Sequence, residues 1–129
     1  MKINELRVGN YLYLCGSTAK VVGVREDGVY VVNDLNTSFK VDIADVRPIP
    51  LTEVFFEKNG FIRLDSLDYY DNYFTSEDMR IDVYESSKGW VVHIDNIEFS
   101  TAFCKRLNYV HELQNAYYVS TGEELEIKL

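Results

Sequence analysis

The sequence has little of what disulfide frameworks, metal sites and membrane anchors require. It contains two cysteines, two histidines, two prolines and one tryptophan in 129 residues. Cys15 and Cys104 lie far apart, and the start of the chain has no apolar leader, so we expect reduced, buried thiols in a cytoplasmic protein. No apolar run approaches the roughly 18 residues that a membrane-spanning helix needs. We therefore expect neither a disulfide nor a membrane partner.

Signatures of nucleotide binding and of hydrolysis are missing as well. The chain has no G-x-x-x-x-G-K-[ST], no G-x-G-x-x-G and no G-x-S-x-G, so we expect neither the phosphate cradles nor the nucleophile elbow that these motifs build. An enzyme would need a pocket with convergent polar groups, for which the candidates are His111, Gln114 and Asn115. We assign no catalytic residue and no cofactor, and we expect a protein that is not an enzyme.

The pair His111-Glu112 begins the zinc-protease pattern H-E-x-x-H without completing it. That pattern needs a second histidine four residues later, so that both rings leave one face of a helix and meet one ion. The residue at that position is Asn115, and an amide is a poor zinc ligand beside imidazole or thiolate. The other histidine, His93, lies in a different segment. We therefore assign no metal site.

The same stretch has the periodicity of an amphipathic helix. We predict a helix over residues 106–121, ended by Gly122 as a left-handed cap and followed by a short strand, "LEIKL". Its polar residues are expected at the border of the apolar stripe, as for His111 and Gln114, or on the water side, as for Asn115. The stripe itself consists of residues at three- and four-residue steps: Leu107, Val110, Leu113 and Tyr117.

The net charge of −8 is unevenly distributed along the chain. Residues 1–50 contain six acids and six bases, so the whole excess falls in residues 51–129. Much of it lies in residues 65–85, which carry seven acids and only one base, Arg80. Because a phosphate backbone selects clustered Lys and Arg, this balance predicts no direct binding of nucleic acid.

The first fifty residues predict a lobe of short strands. Five segments are rich in valine or aromatic residues, and turn signals separate them: "GNYLYLCG", "AKVVGVRED", "GVYVVN", "SFKVD" and "IADVRPIPL". The Asp27-Gly28 pair predicts a hairpin between the second and the third. Five short strands in about fifty residues favour a small, strongly bent barrel or meander. The opening "LRVGNYLYLCGSTAKVVGV" resembles small Src-homology-like or Tudor-like barrels, which often bind peptides or nucleic acids.

Residues 51–129 predict an acidic α+β lobe with an antiparallel sheet and two helices. Thr52 is placed to cap a first helix that Gly60 ends. Strands are predicted at "YYDNYFTS", "MRIDVYES", "WVVHIDN" and "IEFS", before the helix over residues 106–121. Trp90 is expected in the core, and His93 is expected to face water.

Three segments together resemble a family of small proteins of Bacteroides-type bacteria and of their prophages or mobile elements. The matching segments are Val8-Gly9-Asn10, Pro48 to Glu53 with Gly60-Phe61, and His111, Leu113-Gln114-Asn115, Tyr117 and Thr121 to Leu125. The family has no established activity. The resemblance therefore implies a cytosolic accessory protein of a bacterial or phage genome.

Two hypotheses of function follow. In the first, the chain is a non-enzymatic binding or adaptor protein that meets an unknown protein partner through the aromatic residues Tyr69, Tyr70, Tyr73 and Phe74. The alternative, which alternation favours, is a strand whose aromatic residues pack inward while the acids face water. In the second hypothesis, the chain is an acidic decoy that inhibits a DNA-binding protein, which requires a row of carboxylates at phosphate-like intervals. No oligomeric state follows from the sequence.

Overall fold

The computed structural model describes residues 1–64, 72–96 and 101–129. These residues form an α+β fold with two antiparallel five-stranded sheets and two α-helices. The chain divides into two compact units. Unit 1 is Met1–Pro50 with Tyr109–Asn115, and unit 2 is Leu51–Asn108 with Ala116–Leu129. The separation into domains of residues 1–50 and 51–129 stays a prediction.

The sheet of unit 1 contains all five strands expected in the first fifty residues. They are β1 (Tyr11–Leu14), β2 (Ser17–Arg25), β3 (Gly28–Val32), β4 (Ser38–Val41) and β5 (Val46–Arg47). The strand order is β4-β3-β2-β1-β5. The hairpin between β2 and β3 is confirmed, and the ladder between them shifts register at Val21/Gly23. No closed barrel is found in the described residues, where β4 and β5 are the two edges of the sheet.

Alternation along these strands buries one face of the sheet. The core of unit 1 consists of apolar side chains from that face and of Leu6, which precedes β1: Leu6, Leu12, Ala19, Val21, Val29, Val31 and Val46. Ile3, Leu14, Val24, Val41 and Ile43 pack against it. Because successive side chains of a strand point to opposite faces, the intervening residues form an outer face.

Cys15 is exposed, so the expectation of a buried thiol is wrong for this residue. Leu14 pairs directly with Ser17, which leaves Cys15 and Gly16 as the two loop residues of the β1–β2 hairpin. Both have positive φ, 50° and 82°, as a two-residue turn that follows the twist of its strands requires. The turn carries the side chain away from the core. The side chain of Cys104 lies outside the described residues.

The sheet of unit 2 has the order β10-β9-β8-β7-β6. Its strands are β6 (Ile62–Arg63), β7 (Tyr73–Thr75), β8 (Ile81–Ser86), β9 (Gly89–Asn96) and β10 (Thr101–Leu107). The strand predicted at "IEFS" covers residues 97–100, which lie outside the described residues. Trp90 is buried and its indole donates to the carbonyl of Leu51, and His93 is about two-fifths exposed; both expectations are confirmed.

Helix α1 (Glu53–Lys58) has the predicted ends. The hydroxyl of Thr52 accepts from the backbone N–H of Phe55 at 3.1 Å, and Gly60 follows with φ 79°. Phe55 and Phe56 are buried on this helix. Phe56 packs at centroid distances of 5.7 Å and 4.7 Å from the rings of Phe74 and Trp90. An aromatic cluster is therefore the centre of unit 2.

Helix α2 (Val110–Thr121) is shorter than predicted. Residues 106 and 107 belong to β10, because seven consecutive pairs with β9 continue to Leu107↔Trp90. Gly122 ends the helix with φ 74° and donates to the carbonyl of Tyr118, as expected. The predicted strand "LEIKL" is not formed, since residues 125–129 have no ladder partner among the described residues. No helix in the described ranges is both long and apolar enough to span a membrane.

Candidate functional site

The polar residues of α2 are used to hold the segment that leads into β1. Gln114 accepts from the backbone N–H of Tyr11 at 3.0 Å and donates to the carbonyl of Gly9 at 2.9 Å. Its side chain is 1% exposed. Both ends of the amide are therefore satisfied by main-chain groups that would otherwise be buried without partners.

Asn115 continues this arrangement one residue further along the helix. Its amide donates to the carbonyl of Glu5, and its oxygen accepts from Asn10 at 2.8 Å and from the guanidinium of Arg7 at 3.2 Å. Asn10 is fully buried and also accepts from the backbone N–H of Arg7. The expectation that Asn115 faces water is therefore wrong, because the helix places this residue against residues 5–10.

His111 lies one turn before Asn115 and is 1% exposed. The expectation of a border position is wrong. Its ring stacks on that of Tyr109 at 6.0 Å, and Nε2 lies 3.8 Å from a carboxylate oxygen of Glu5, beyond hydrogen-bond distance. Neither ring nitrogen has a hydrogen-bond partner among the described residues. Burial lowers the pKa of His111, and the charges of Glu112 and Glu5 oppose that shift only in part.

In the described part of the chain, the polar groups of these three side chains are directed to separate surroundings. The side-chain amides of Gln114 and Asn115 form hydrogen bonds with residues 5–11, and the ring of His111 is buried beside Tyr109. In the described part of the chain, no three side chains of His, Cys, Asp or Glu gather closely enough to hold a metal ion. The arrangement is suited to stabilising unit 1.

The four residues of the predicted aromatic surface do not share one environment. Tyr69 and Tyr70 lie outside the described residues. Tyr73 is half-buried, and its ring stacks on Tyr84 at 5.9 Å with an angle of 8° between planes. Phe74 is fully buried in the aromatic cluster of unit 2, with the guanidinium of Arg63 over its ring. Phe74 therefore belongs to the core and is not accessible to a partner.

A different surface is suited to binding: the outer face of the unit 1 sheet. Register places its members side by side, since Tyr13 pairs with Thr18 on one side and with Arg47 on the other. We define the outer face by the outward side chains of β1 to β5: Tyr11, Tyr13, Thr18, Lys20, Arg25, Tyr30, Val32, Ser38, Lys40 and Arg47. It combines three tyrosines with four basic residues.

Two cation–π contacts organise this outer face. The ammonium of Lys20 lies 5.8 Å from the ring centroid of Tyr11, its direct cross-strand neighbour. The guanidinium of Arg25 lies 5.4 Å from the ring centroid of Tyr30. Gly23 is the direct cross-strand neighbour of Tyr30. The charged ends of Lys20 and Arg25 therefore lie over aromatic rings, while both residues remain exposed.

Sequence patterns alone do not reveal this surface, although they identify its residues. Alternation within each strand identifies the outward positions, but only the strand order and the register decide that β1, β2, β3, β4 and β5 present them on one face.

Comparison with known proteins finds no family model, no curated protein and no solved structure that matches the chain.

Proposed function

We propose that this chain is a non-enzymatic binding or adaptor protein and that its binding surface is the outer face of the unit 1 sheet. The observation that carries the proposal is the composition of that face. Tyrosine and arginine are among the residue types that contribute most to protein interfaces, and here they lie together on one face of a sheet. Tyr13, at the centre of the row Thr18–Tyr13–Arg47, is 38% exposed.

The topology of unit 1 supports a related proposal about its architecture, a partly open small barrel of the Src-homology or Tudor kind. The meander β1-β2-β3-β4 continues through a short 3₁₀ helix, Ile43–Asp45, into β5, which pairs with β1. The break in register at Val21/Gly23 supplies the bend that such a sheet needs. A role as an accessory protein of a phage or mobile element agrees with the segments that resemble such proteins.

The acidic-decoy hypothesis has less support. A decoy needs carboxylates in a free row, whereas Glu53 and Glu57 both contact the guanidinium of Arg63 at 3.1 Å. Glu53 and Glu85 also accept from the amide of Asn72. These acids are therefore engaged within unit 2.

Site-specific photo-crosslinking tests the proposed function. A benzophenone amino acid replaces Tyr13 in the cells from which the sequence comes, and a matched protein carries it at Met79, which is 75% exposed in unit 2. We expect a discrete protein adduct from position 13 that is absent from position 79. Identical adducts from both positions, or none from position 13, would contradict a binding role for the outer face.

A further inference from the structure

In unit 1 the acidic residues lie outside the strands, whereas most of the basic residues lie on them. None of the strands β1 to β5 carries an acidic residue. The seven acids of unit 1 all lie outside the strands, in turns, in or directly before 3₁₀ helices, or on α2: Glu5, Glu26, Asp27, Asp34, Asp42, Asp45 and Glu112. Four of its six Lys and Arg residues lie on the outer face. A chain of net charge −8 thus presents a locally basic surface.

Most of this basic charge is available to a partner. Lys40 forms a salt bridge with Asp27 at 2.8 Å, and that pairing raises the pKa of Lys40. Within the described ranges no salt bridge involves Lys20, Arg25 or Arg47, and all three are exposed. The charge of Arg25 also acts on Asp27, whose pKa is lowered mainly by Lys40, so Arg25 is compensated in part. A carboxylate that reaches these exposed basic groups gains charge-assisted hydrogen bonds.

The contacts that the tyrosine rings already make favour a protein as the binding partner over a nucleic acid. Single-stranded nucleic acids bind by stacking bases on free aromatic faces. Here the rings of Tyr11 and Tyr30 already have the chain's own cations over them. The net charge of −8 also repels a strand that carries one charge per nucleotide. A short peptide can instead concentrate its few acids on the basic residues.

We propose that the outer face binds an acidic segment of a partner protein. The inference rests on the proposed function and adds the chemical class of the partner. Carboxylates of Asp or Glu accept from Lys20, Arg25 and Arg47, and an apolar side chain of the segment packs on Tyr13. Lys20 and Arg47 lie on strands two positions apart, about 10 Å across the sheet. They are also offset by two residues along the strands, since Lys20 pairs with Tyr11 and Arg47 with Tyr13. Acids four residues apart in an extended segment point to the same side and span about 13 Å, which is enough to reach both.

Selection of peptides tests this class directly. A displayed library of random twelve-residue peptides is selected on the full chain and counter-selected on the variant Lys20→Glu/Arg47→Glu. The matched control is Lys88→Glu/Lys128→Glu, which changes the net charge equally at exposed positions of unit 2. Thermal melts of both variants show whether either change disturbs folding.

We expect the enriched peptides to be rich in Asp and Glu. Fluorescence anisotropy should show binding at least about tenfold weaker to Lys20→Glu/Arg47→Glu, unchanged binding to the control, and weakening as salt is raised. Replacing the acids of the peptide by Asn and Gln should cause a comparable loss.

Several results would overturn the inference. Enriched peptides whose binding requires the outer face but does not depend on their Asp or Glu residues would refute an acidic partner segment. They would leave the proposed function intact. Tighter binding of a twenty-nucleotide oligo(dT), lost in the face variant, would make the surface a nucleic-acid site. Failure to enrich any peptide, or binding indifferent to the face variant, would refute the acidic class. If position 13 also gives no adduct in the crosslinking experiment, the proposed function fails as well.

Discussion

Gln114 illustrates how a side chain that looks functional in a sequence can be structural. Its amide accepts from Tyr11 and donates to Gly9, so that two backbone groups in the segment that leads into β1 gain partners. The two residues are more than a hundred positions away in sequence. A buried amide with both ends bonded specifies one arrangement of the segment, because any other leaves polar groups unsatisfied.

Gln114→Ala should therefore destabilise the chain by about 1–3 kcal/mol, because it leaves the N–H of Tyr11 and the carbonyl of Gly9 buried without partners. Urea denaturation followed by circular dichroism measures the loss. Val119→Ala on the same helix is the control, since Val119 is 83% exposed and should change stability by less than about 0.5 kcal/mol. Equal stability of the two variants would show that these hydrogen bonds contribute little.

His111 gives a second prediction at the scale of one residue. Burial lowers its pKa below the usual value of about 6.5. Between the lowered pKa and 6.5 the unfolded chain binds more protons than the folded chain, so stability rises with pH in that window and falls as pH drops through it. Below the lowered pKa both forms bind the proton and this contribution is constant.

His111→Phe should remove this pH dependence while keeping an aromatic ring beside Tyr109. We expect the unfolding free energy of the wild type to fall more steeply than that of the variant as pH decreases from 7 toward 5. Asp27 and Asp78, whose pKa values are also lowered, are present in both proteins and cancel in the comparison. Parallel curves for the two proteins would contradict a buried neutral imidazole.

At the scale of an element, α2 shows what a periodic pattern can predict. The stripe of Leu107, Val110, Leu113 and Tyr117 is buried, as the three- and four-residue steps indicate. The helix begins only at Val110, because pairing of β10 with β9 extends through Leu107. Periodicity does not detect that competition, since a buried leucine fits either structure.

Leu113→Ala should cost about 2–5 kcal/mol, the usual range for a leucine truncated in a core. Leu113 is fully buried, so the change removes packing that solvent cannot replace. Differential scanning calorimetry should show a clearly lower melting temperature, with Val119→Ala again as the control. A shift no larger than that of the control would mean that this part of α2 is loosely packed.

At the scale of the whole molecule, unit 1 is discontinuous in sequence. It takes residues 109–115 from the far end of the chain, and these supply Gln114 and Asn115 to the segment of residues 5–11. A β-sheet domain of about fifty residues is close to the size at which the hydrophobic core gives only marginal stability. The contribution of α2 is therefore expected to decide whether unit 1 folds.

A fragment of residues 1–50 should not fold, because it lacks the partners of Gly9, Asn10 and Tyr11. The amide proton–nitrogen spectrum of the fragment should be poorly dispersed, whereas that of the full chain should be well dispersed. Addition of a synthetic peptide with residues 106–122 in excess should restore part of the dispersion. A fragment that is well dispersed alone would instead support a domain that ends at residue 50.

The sequence by itself determined the local features of this protein. Alternation located β1 to β4, the hydroxyl of Thr52 defined the start of α1, and Gly60 and Gly122 marked where the two helices end. Each of these depends on contacts within a few residues or on the conformational freedom of one residue, which the neighbouring sequence contains.

Only the tertiary structure decided which distant residues meet. It placed His111, Gln114 and Asn115 against residues 5–11, put Phe74 in a core and brought Lys20, Arg25 and Arg47 onto one face. Strand order, register and the return of α2 to unit 1 set these neighbours. The physical reason is that a polar or aromatic side chain is equally compatible with solvent, core or a partner until long-range packing fixes its surroundings.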